Sequence, residues 1–268
     1  MIDLAKINYS KLDRPEILML LFHPRPEWAT PEPVAGCYDV TIPVEEGVSL
    51  GAKFHLAKAG APAILFFHGN GEIASDYNDL GQVYRRMGMH FLACDYRGYG
   101  RSGGSPTITA MMRDCHVVFE YTKSFLSEKR FTGALIVMGR SLGSAPALEL
   151  ASCYLNQVSG LIIESGFAFT EPLLELFGFS MKKLGISEQD AFRNAEKARA
   201  FEKPCLIIHG ERDQLIPFAE GQALFEACPS KKKKLLMIRG ADHNDLFYRG
   251  IDEYLQAVKE LAEEAAKS

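Results

Sequence analysis

The chain lacks a basic surplus, a metal-binding cysteine pattern and any apolar run long enough to span a bilayer. Its 268 residues carry 30 Lys and Arg against 34 Asp and Glu, a formal charge of −4. With no basic face evident in the sequence, nucleic acid is not an expected partner. The one basic block, Lys231 to Lys234, lies between Pro229-Ser230 and the apolar run Leu235-Leu236-Met237-Ile238, which predicts a solvated turn before a strand. Cys37, Cys94, Cys115, Cys153, Cys205 and Cys228 are widely scattered, without a Cys-x-x-Cys or Cys/His cluster. No zinc site is therefore expected, and buried free thiols in a reducing compartment are the simplest account. Met1-Ile2-Asp3 offers no basic segment of a signal peptide. Ile17-Leu18-Met19-Leu20-Leu21-Phe22 is too short for a spanning helix and is followed by Pro24 and Pro26. The reading is cytoplasmic, with no integral membrane segment. Internal repeats and low-complexity tracts are also missing.

What is present is a globular composition, 47% hydrophobic and 24% charged, sufficient for a sizeable core. Short apolar runs alternate with helical patterns from residue 63 onward. Ala63–Phe67, His90–Cys94, Ala134–Met138, Leu161–Ile163, Cys205–Ile208 and Leu235–Ile238 are nearly continuous in apolar residues, as parallel strands covered on both faces should be. Between them Ser75–Met87, Ile108–Ser127, Leu142–Asn156, Pro217–Cys228 and Asp245–Ala266 read as helices, with Ser75 and Asp76 able to cap the first and Pro217 suited to an early helical turn. Upstream, Tyr38–Val44 and Val48–Ala57 flank Glu45-Glu46-Gly47 and read as an antiparallel hairpin. The expectation is one α/β domain over 1–268, with a mostly parallel eight-stranded sheet, helices on both faces and an antiparallel edge. From Ile163 to Pro204 the alternation stops. Connections in such folds are usually far shorter, so 167–200 is expected to be a small helical, cap-like insertion. Its Phe167, Phe169 and Phe177 are candidates for contact with a hydrophobic substrate group.

The strongest chemical signal is Gly139-Arg140-Ser141-Leu142-Gly143, directly after Leu135-Ile136-Val137-Met138. This is a G-x-S-x-G turn in its strand–turn–helix setting. The glycines suit a strained tip whose flanking positions have no room for side chains. Ser144, Ala145 and Ala147 keep the next helical turns small. A serine hydroxyl needs a base to become a nucleophile. His243 follows the last strand run and Asp213 follows the one before it, giving the order Ser, Asp, His. Oxyanion donors are expected from the main-chain N–H of Leu142, just after the nucleophile, and of Asn70 in His68-Gly69-Asn70-Gly71. His209 is expected to support its turn, Asp242 and Asp245 to cap, Glu164 to be an alternative acid, and Asp95 to organise a glycine-rich loop. His68 is expected to brace its loop, and His23, His55, His90 and His116 to be structural.

Phe67-His68-Gly69-Asn70-Gly71, Asp95-Tyr96-Arg97-Gly98-Tyr99-Gly100, Gly139–Gly143, Leu206-Ile207-Ile208-His209-Gly210, Asp213 and His243-Asn244-Asp245 together resemble the α/β-hydrolase superfamily from about Val40 onward. The chain looks most like the branch with protein depalmitoylating thioesterases and related uncharacterised cytosolic serine hydrolases. The resemblance implies a triad on Ser141, Asp213 and His243, and Asn70 as the second oxyanion donor. It implies hydrolysis of a small-molecule or acyl ester or thioester, without a cofactor. Depalmitoylases of this branch in eukaryotes carry an N-terminal cysteine cluster; here the first cysteine is Cys37, so membrane attachment by that route is not expected. A peptidase or amidase, or a ligand-binding homologue without catalysis, are the alternatives. No sequence feature points to an oligomeric state.

Overall fold

A computed structural model describes residues 2–28 and 35–267. The chain divides into two units, 1–135 and 136–268, with four of the eight strands beginning in each of 37–94 and 135–233. In the first unit a short helix absent from the sequence reading, α1 (Pro15–Leu21), buries Ile17 and Leu21. Its N1 proline has a φ already suited to a helix. The expected hairpin forms from β1 (Cys37–Glu45) and β2 (Val48–His55), with Val40 opposite Ala52 and Gly47 in the left-handed region at the turn. β3 (Ala63–Phe67) and β4 (His90–Cys94) pair in parallel, β2 pairs antiparallel with β4, and the order is β1-β2-β4-β3. Every residue of β3 and β4 is buried, which is why both appear in the sequence as unbroken apolar runs.

The helix expected over Ser75–Met87 is instead a 3-10 turn, Ala74–Tyr77, followed by α2 (Asn78–Arg86). The entry is fixed by carboxylates. Asp76 Oδ2 accepts the Ile73 N–H at 3.0 Å and Asp95 Oδ1 accepts the Ala74 N–H at 2.7 Å, so Asp76 serves the entry and Ser75 does not cap it. α3 (Ile108–Glu128) begins at Thr107, whose hydroxyl accepts the Ala110 N–H at 2.9 Å.

The second unit alternates in parallel: β5 (Leu135–Arg140), β6 (Gly160–Glu164), β7 (Cys205–Gly210) and β8 (Lys233–Ile238), in the order β5-β6-β7-β8. β8 begins inside the lysine block, against the expected turn. Lys233 lies over the Phe225 ring and donates to the Phe225 and Cys228 carbonyls at 2.8 and 2.7 Å, while Lys232 and Lys234 pair with Glu264 and Glu260. A lysine stem can cover apolar surface while its ammonium reaches acceptors, so this block is held by its own unit.

α4 (Ser144–Cys153) follows a 3-10 turn over Ser141–Gly143 and ends three residues before the expected Asn156. α8 (Phe218–Ala227) starts after Pro217. The helix expected over Asp245–Ala266 is two, α9 (Leu246–Arg249) and α10 (Ile251–Ala265), which meet at Gly250. There the backbone leaves the helical region at φ −134° and ψ 38°, and a Cβ would lie 2.8 Å from Ile238 Cδ1. The 167–200 segment holds α5 (Thr170–Leu176), α6 (Met181–Leu184) and α7 (Asn194–Arg199), plus a 3-10 turn over Glu188–Asp190. α7 packs on α4 and α8. Buried Glu220 on α8 anchors the segment's start by accepting the Ala168 and Phe169 N–H groups at 2.8 and 3.0 Å. The six cysteines form no disulfide, but Cys153 is exposed and Cys37 half-buried, unlike the buried expectation. Among the described residues, no helix is long and apolar enough to cross a membrane.

Ile162, fully buried at the centre of β6, gives a direct measure of this core. Ile162→Ala should lower the unfolding free energy by about 2–5 kcal/mol, read as a fall in the urea midpoint; a cost under about 1 kcal/mol would contradict the packing described.

Candidate active site

The turn at the end of β5 is built by exclusion. A Cβ on Gly139 would lie 2.0 Å from the Gly143 carbonyl oxygen, so glycine alone fits. Ser141 has φ +52°, a left-handed conformation that costs a non-glycine residue about 1–3 kcal/mol and persists only where the surroundings enforce it. Ser144, Ala145 and Ala147 on the following α4 are buried, and the main chain of Gly143 and Ser144 comes close to Gly139. Leu142, in the first turn of the following helix, has an N–H of the kind that helix starts leave without an intrahelical partner.

The loop after β7 carries Asp213. Its Oδ1 accepts the N–H groups of Leu215 and Ile216 at 3.0 and 2.8 Å, and its Oδ2 lies 2.7 Å from His243 Nδ1. His209 Nε2 donates to the Ile216 carbonyl at 2.7 Å and stands 3.4 Å from the same Oδ2. His209 thus supports its turn, as expected, and backs the carboxylate as well. Burial alone would raise the Asp213 pKa. Hydrogen bonds from His209 and His243, the His243 charge and the Ile216 N–H outweigh it and hold the carboxyl well below the usual carboxylate range.

His243 sits on the loop after β8, 4% exposed. Its N–H donates to Asp242 Oδ1 at 2.7 Å, and Asp245 Oδ1 accepts the Asp242 N–H at 2.6 Å. The two aspartates flanking the histidine therefore shape its loop. The imidazole Nε2 lies 3.0 Å from Ser141 Oγ. A carboxylate can only accept, so Nδ1 carries the proton and Nε2 is free to accept from the hydroxyl. Three side chains from three strand ends meet in one hydrogen-bonded line. Glu164, the alternative acid, is turned elsewhere: its Oε1 pairs with Arg140 Nε at 3.0 Å and its Oε2 accepts the Tyr254 hydroxyl at 2.6 Å. The sequence reading gave Arg140 no role. Its signal was a charged residue ending an otherwise apolar buried strand, which must find a partner.

In the first unit, Asn70 lies on the loop after β3. Its Oδ1 accepts the His23 N–H and the Tyr99 hydroxyl at 2.7 and 2.8 Å, and its Nδ2 donates to the Leu20 carbonyl at 3.2 Å. The side chain thereby fixes the loop without using its own main-chain N–H. His68 braces the same loop, with Nδ1 donating to the Gly69 carbonyl at 2.8 Å and its own carbonyl accepting the Tyr96 hydroxyl at 2.7 Å. Asp95 lies against the glycine-rich stretch, where a Cβ on Gly100 would lie 2.1 Å from its Oδ2, while its Oδ1 accepts the Ala74 N–H. Of the three phenylalanines, Phe167 is buried edge-on against Phe192, Phe169 is 42% exposed and Phe177 is half-buried.

Residues 60–185 and 186–247 match the hydrolase family described as serine aminopeptidase, S33. The chain belongs to the α/β hydrolases. This hydrolase is similar to human alpha/beta hydrolase domain-containing protein 17B, with 32% identity over 74% of the chain and 65% of that protein. It therefore spans slightly less than two thirds of that relative's length. Among solved structures it is similar to the Pyrococcus furiosus esterase Pf2001, at TM-score 0.72 and 20% identity over 90% of this chain and 98% of that one. Est1E from Butyrivibrio proteoclasticus, solved with ferulic acid bound, matches at TM-score 0.72 and 19% identity over 85% and 100% of the two chains. At that identity the structural likeness establishes the fold.

The depressed Asp213 pKa has a consequence for stability. A carboxyl whose folded pKa lies below its unfolded value of about 3.9 stabilises the fold above that pH, and the contribution is lost as pH falls toward the folded value. Asp213→Asn should therefore be less stable than the parent at pH 7. The gap should narrow as pH drops from about 5 toward 2, in denaturant melts run across that range. A gap that widens on acidification would contradict the assigned sign.

Proposed function

We propose that this hydrolase cleaves carboxylic ester or thioester bonds through an acyl-enzyme on Ser141. The observation that carries the reading is the line from Asp213 Oδ2 to His243 Nδ1 at 2.7 Å and from His243 Nε2 to Ser141 Oγ at 3.0 Å. In the proposed cycle His243 takes the hydroxyl proton as Oγ attacks the substrate carbonyl carbon. Asp213 stabilises the imidazolium without itself becoming protonated. The tetrahedral oxyanion is assigned to the main-chain N–H of Leu142 and, from the motif after β3, to that of Asn70. The imidazolium returns its proton to the departing alcohol or thiol. Water, deprotonated by the same imidazole, then attacks the acyl carbonyl, and breakdown of the second intermediate releases the acid and restores the serine hydroxyl.

The thioester part of the reading rests on the likeness to the depalmitoylating branch, and the ester part is in keeping with the structural likeness to the Pyrococcus furiosus esterase. The 167–200 segment is the proposed cap, with Phe169 and Phe177 as candidates to meet an acyl or other hydrophobic group and Phe167 setting the cap's base. A small-molecule or acyl substrate and a cytoplasmic setting belong to the same reading. One observation favours a second: the matched family is described as an aminopeptidase. Amide cleavage uses the same three residues but needs protonation of a poorer leaving group, so activity toward amides separates the two.

Ser141→Ala should lower kcat/KM on p-nitrophenyl esters by about 10⁴-fold or more and abolish fluorophosphonate labelling. A panel of acyl p-nitrophenyl esters, acyl-CoA thioesters and aminoacyl amides, read against that variant, fixes the bond class. Retained labelling or turnover in Ser141→Ala would overturn the assignment, and the absence of labelling in the parent protein would favour the non-catalytic homologue.

A further inference from the structure

Arg140 stands between Gly139 and Ser141 in the elbow, at the last position of β5. Its guanidinium is buried, and three of its N–H groups have identified acceptors. Nε donates to Glu164 Oε1 at 3.0 Å, and Glu164 is itself held by the Tyr254 hydroxyl from α10. Nη2 donates to the His243 carbonyl oxygen at 2.9 Å and to Asn244 Oδ1 at 3.0 Å. One planar group therefore ties the residue before the proposed nucleophile to the main chain of the proposed base.

A buried ion pair that served only the fold would need no more than Glu164, and well-packed apolar residues often replace such pairs without loss of stability. This one extends beyond its carboxylate to two acceptors on the loop after β8. That loop decides where the imidazole stands, since His243 bonds to Asp213 through Nδ1 and meets Ser141 only through Nε2. A guanidinium suits the task because its donors have fixed directions in one plane, whereas a lysine ammonium is a point charge on a flexible stem.

We propose that Arg140, anchored by Glu164 and Tyr254, is a positioning residue that sets the approach of the His243 imidazole to the Ser141 hydroxyl. The inference rests on the acyl-enzyme reading above and extends it to a residue outside the triad. Glu164 then has a role in the site as the anchor of that positioning group, distinct from the acid it resembles in sequence.

The test compares the parent chain with Arg140→Lys, Asn244→Ala and Ser141→Ala. It measures p-nitrophenyl ester kinetics, the fluorophosphonate labelling rate per folded molecule, and Tm. Displacement of a reacting group by about 1 Å can cost on the order of 10²-fold. Arg140→Lys should accordingly lower kcat and the labelling rate together by roughly 10- to 100-fold, with KM within about 2-fold. A merely structural role would reduce the folded fraction but leave the folded molecules labelling at the parental rate, and that result overturns the proposal. If Arg140→Lys does not fold, Asn244→Ala decides, because it leaves the Arg140–Glu164 pair intact. A labelling rate lowered by roughly 3- to 10-fold at unchanged Tm supports the proposal, and a parental rate overturns it. Ser141→Ala separates the two claims. If it retains turnover, the acyl-enzyme reading fails and the proposal with it; if it is silent while Arg140→Lys labels normally, only the positioning role fails.

Discussion

The loops after β7 and β8 are organised around a buried negative charge. Taking a carboxylate out of water costs several kcal/mol unless its lone pairs are met, and Asp213 is only 6% exposed. Two main-chain N–H groups from the turn that follows it meet Oδ1, and His243, with His209 behind, meets Oδ2. This arrangement dictates the shape of two loops at once. The turn after β7 must fold back over its own aspartate, and the loop after β8 must deliver an imidazole to it. The proposed chemistry draws on the same arrangement, because a carboxylate held ionised is what stabilises an imidazolium next to an attacking serine.

The serine, by contrast, is held by packing. Nothing in its own side chain favours φ +52°; the conformation goes with a close approach of Gly139 to Gly143 and a following helix whose first residues are small and buried. The strain and the charge are therefore opposite kinds of constraint. One is met by hydrogen bonds and the other by absence of side-chain volume. Their products, a protruding hydroxyl and an oriented ring nitrogen, come within 3.0 Å of each other.

Much of this was legible in the sequence, and the failures have physical causes. β3 and β4 were read with their observed ends because both faces are covered, so hydrophobicity starts and stops where the strand does. Ser141, Asp213 and His243 stand out in the sequence as a set because each follows a strand run in the order the motif specifies. Gly250 reads in sequence as part of one helix, since an isolated glycine is tolerated in a helical pattern; its non-helical backbone and the side chains close against it are set by the fold. Lys233 looked like turn because its charge suggested solvent, whereas its stem lies over Phe225 and its ammonium bonds to carbonyls. Arg140 and Glu164 each announced a buried charge in need of a partner, but local sequence does not say which partner. Residue 164 consequently reads in sequence as a possible acid, whereas in the fold its partners are Arg140 and Tyr254.

Two histidines reach toward the Asp213 carboxylate, and geometry distinguishes them. His209 has its Nε2–H directed at the Ile216 carbonyl at 2.7 Å, stands 3.4 Å from Oδ2 and is wholly buried. A proton engaged in that way fixes the ring as a donor on the side facing the carboxylate and leaves it no approach to a hydroxyl. His243 presents the opposite arrangement, with the donor nitrogen on the aspartate at 2.7 Å and the acceptor nitrogen on Ser141. The same carboxylate thus meets identical side chains in opposite ways: the first histidine backs the carboxylate, and the second, with one nitrogen free to take a proton, matches the base of the proposed cycle.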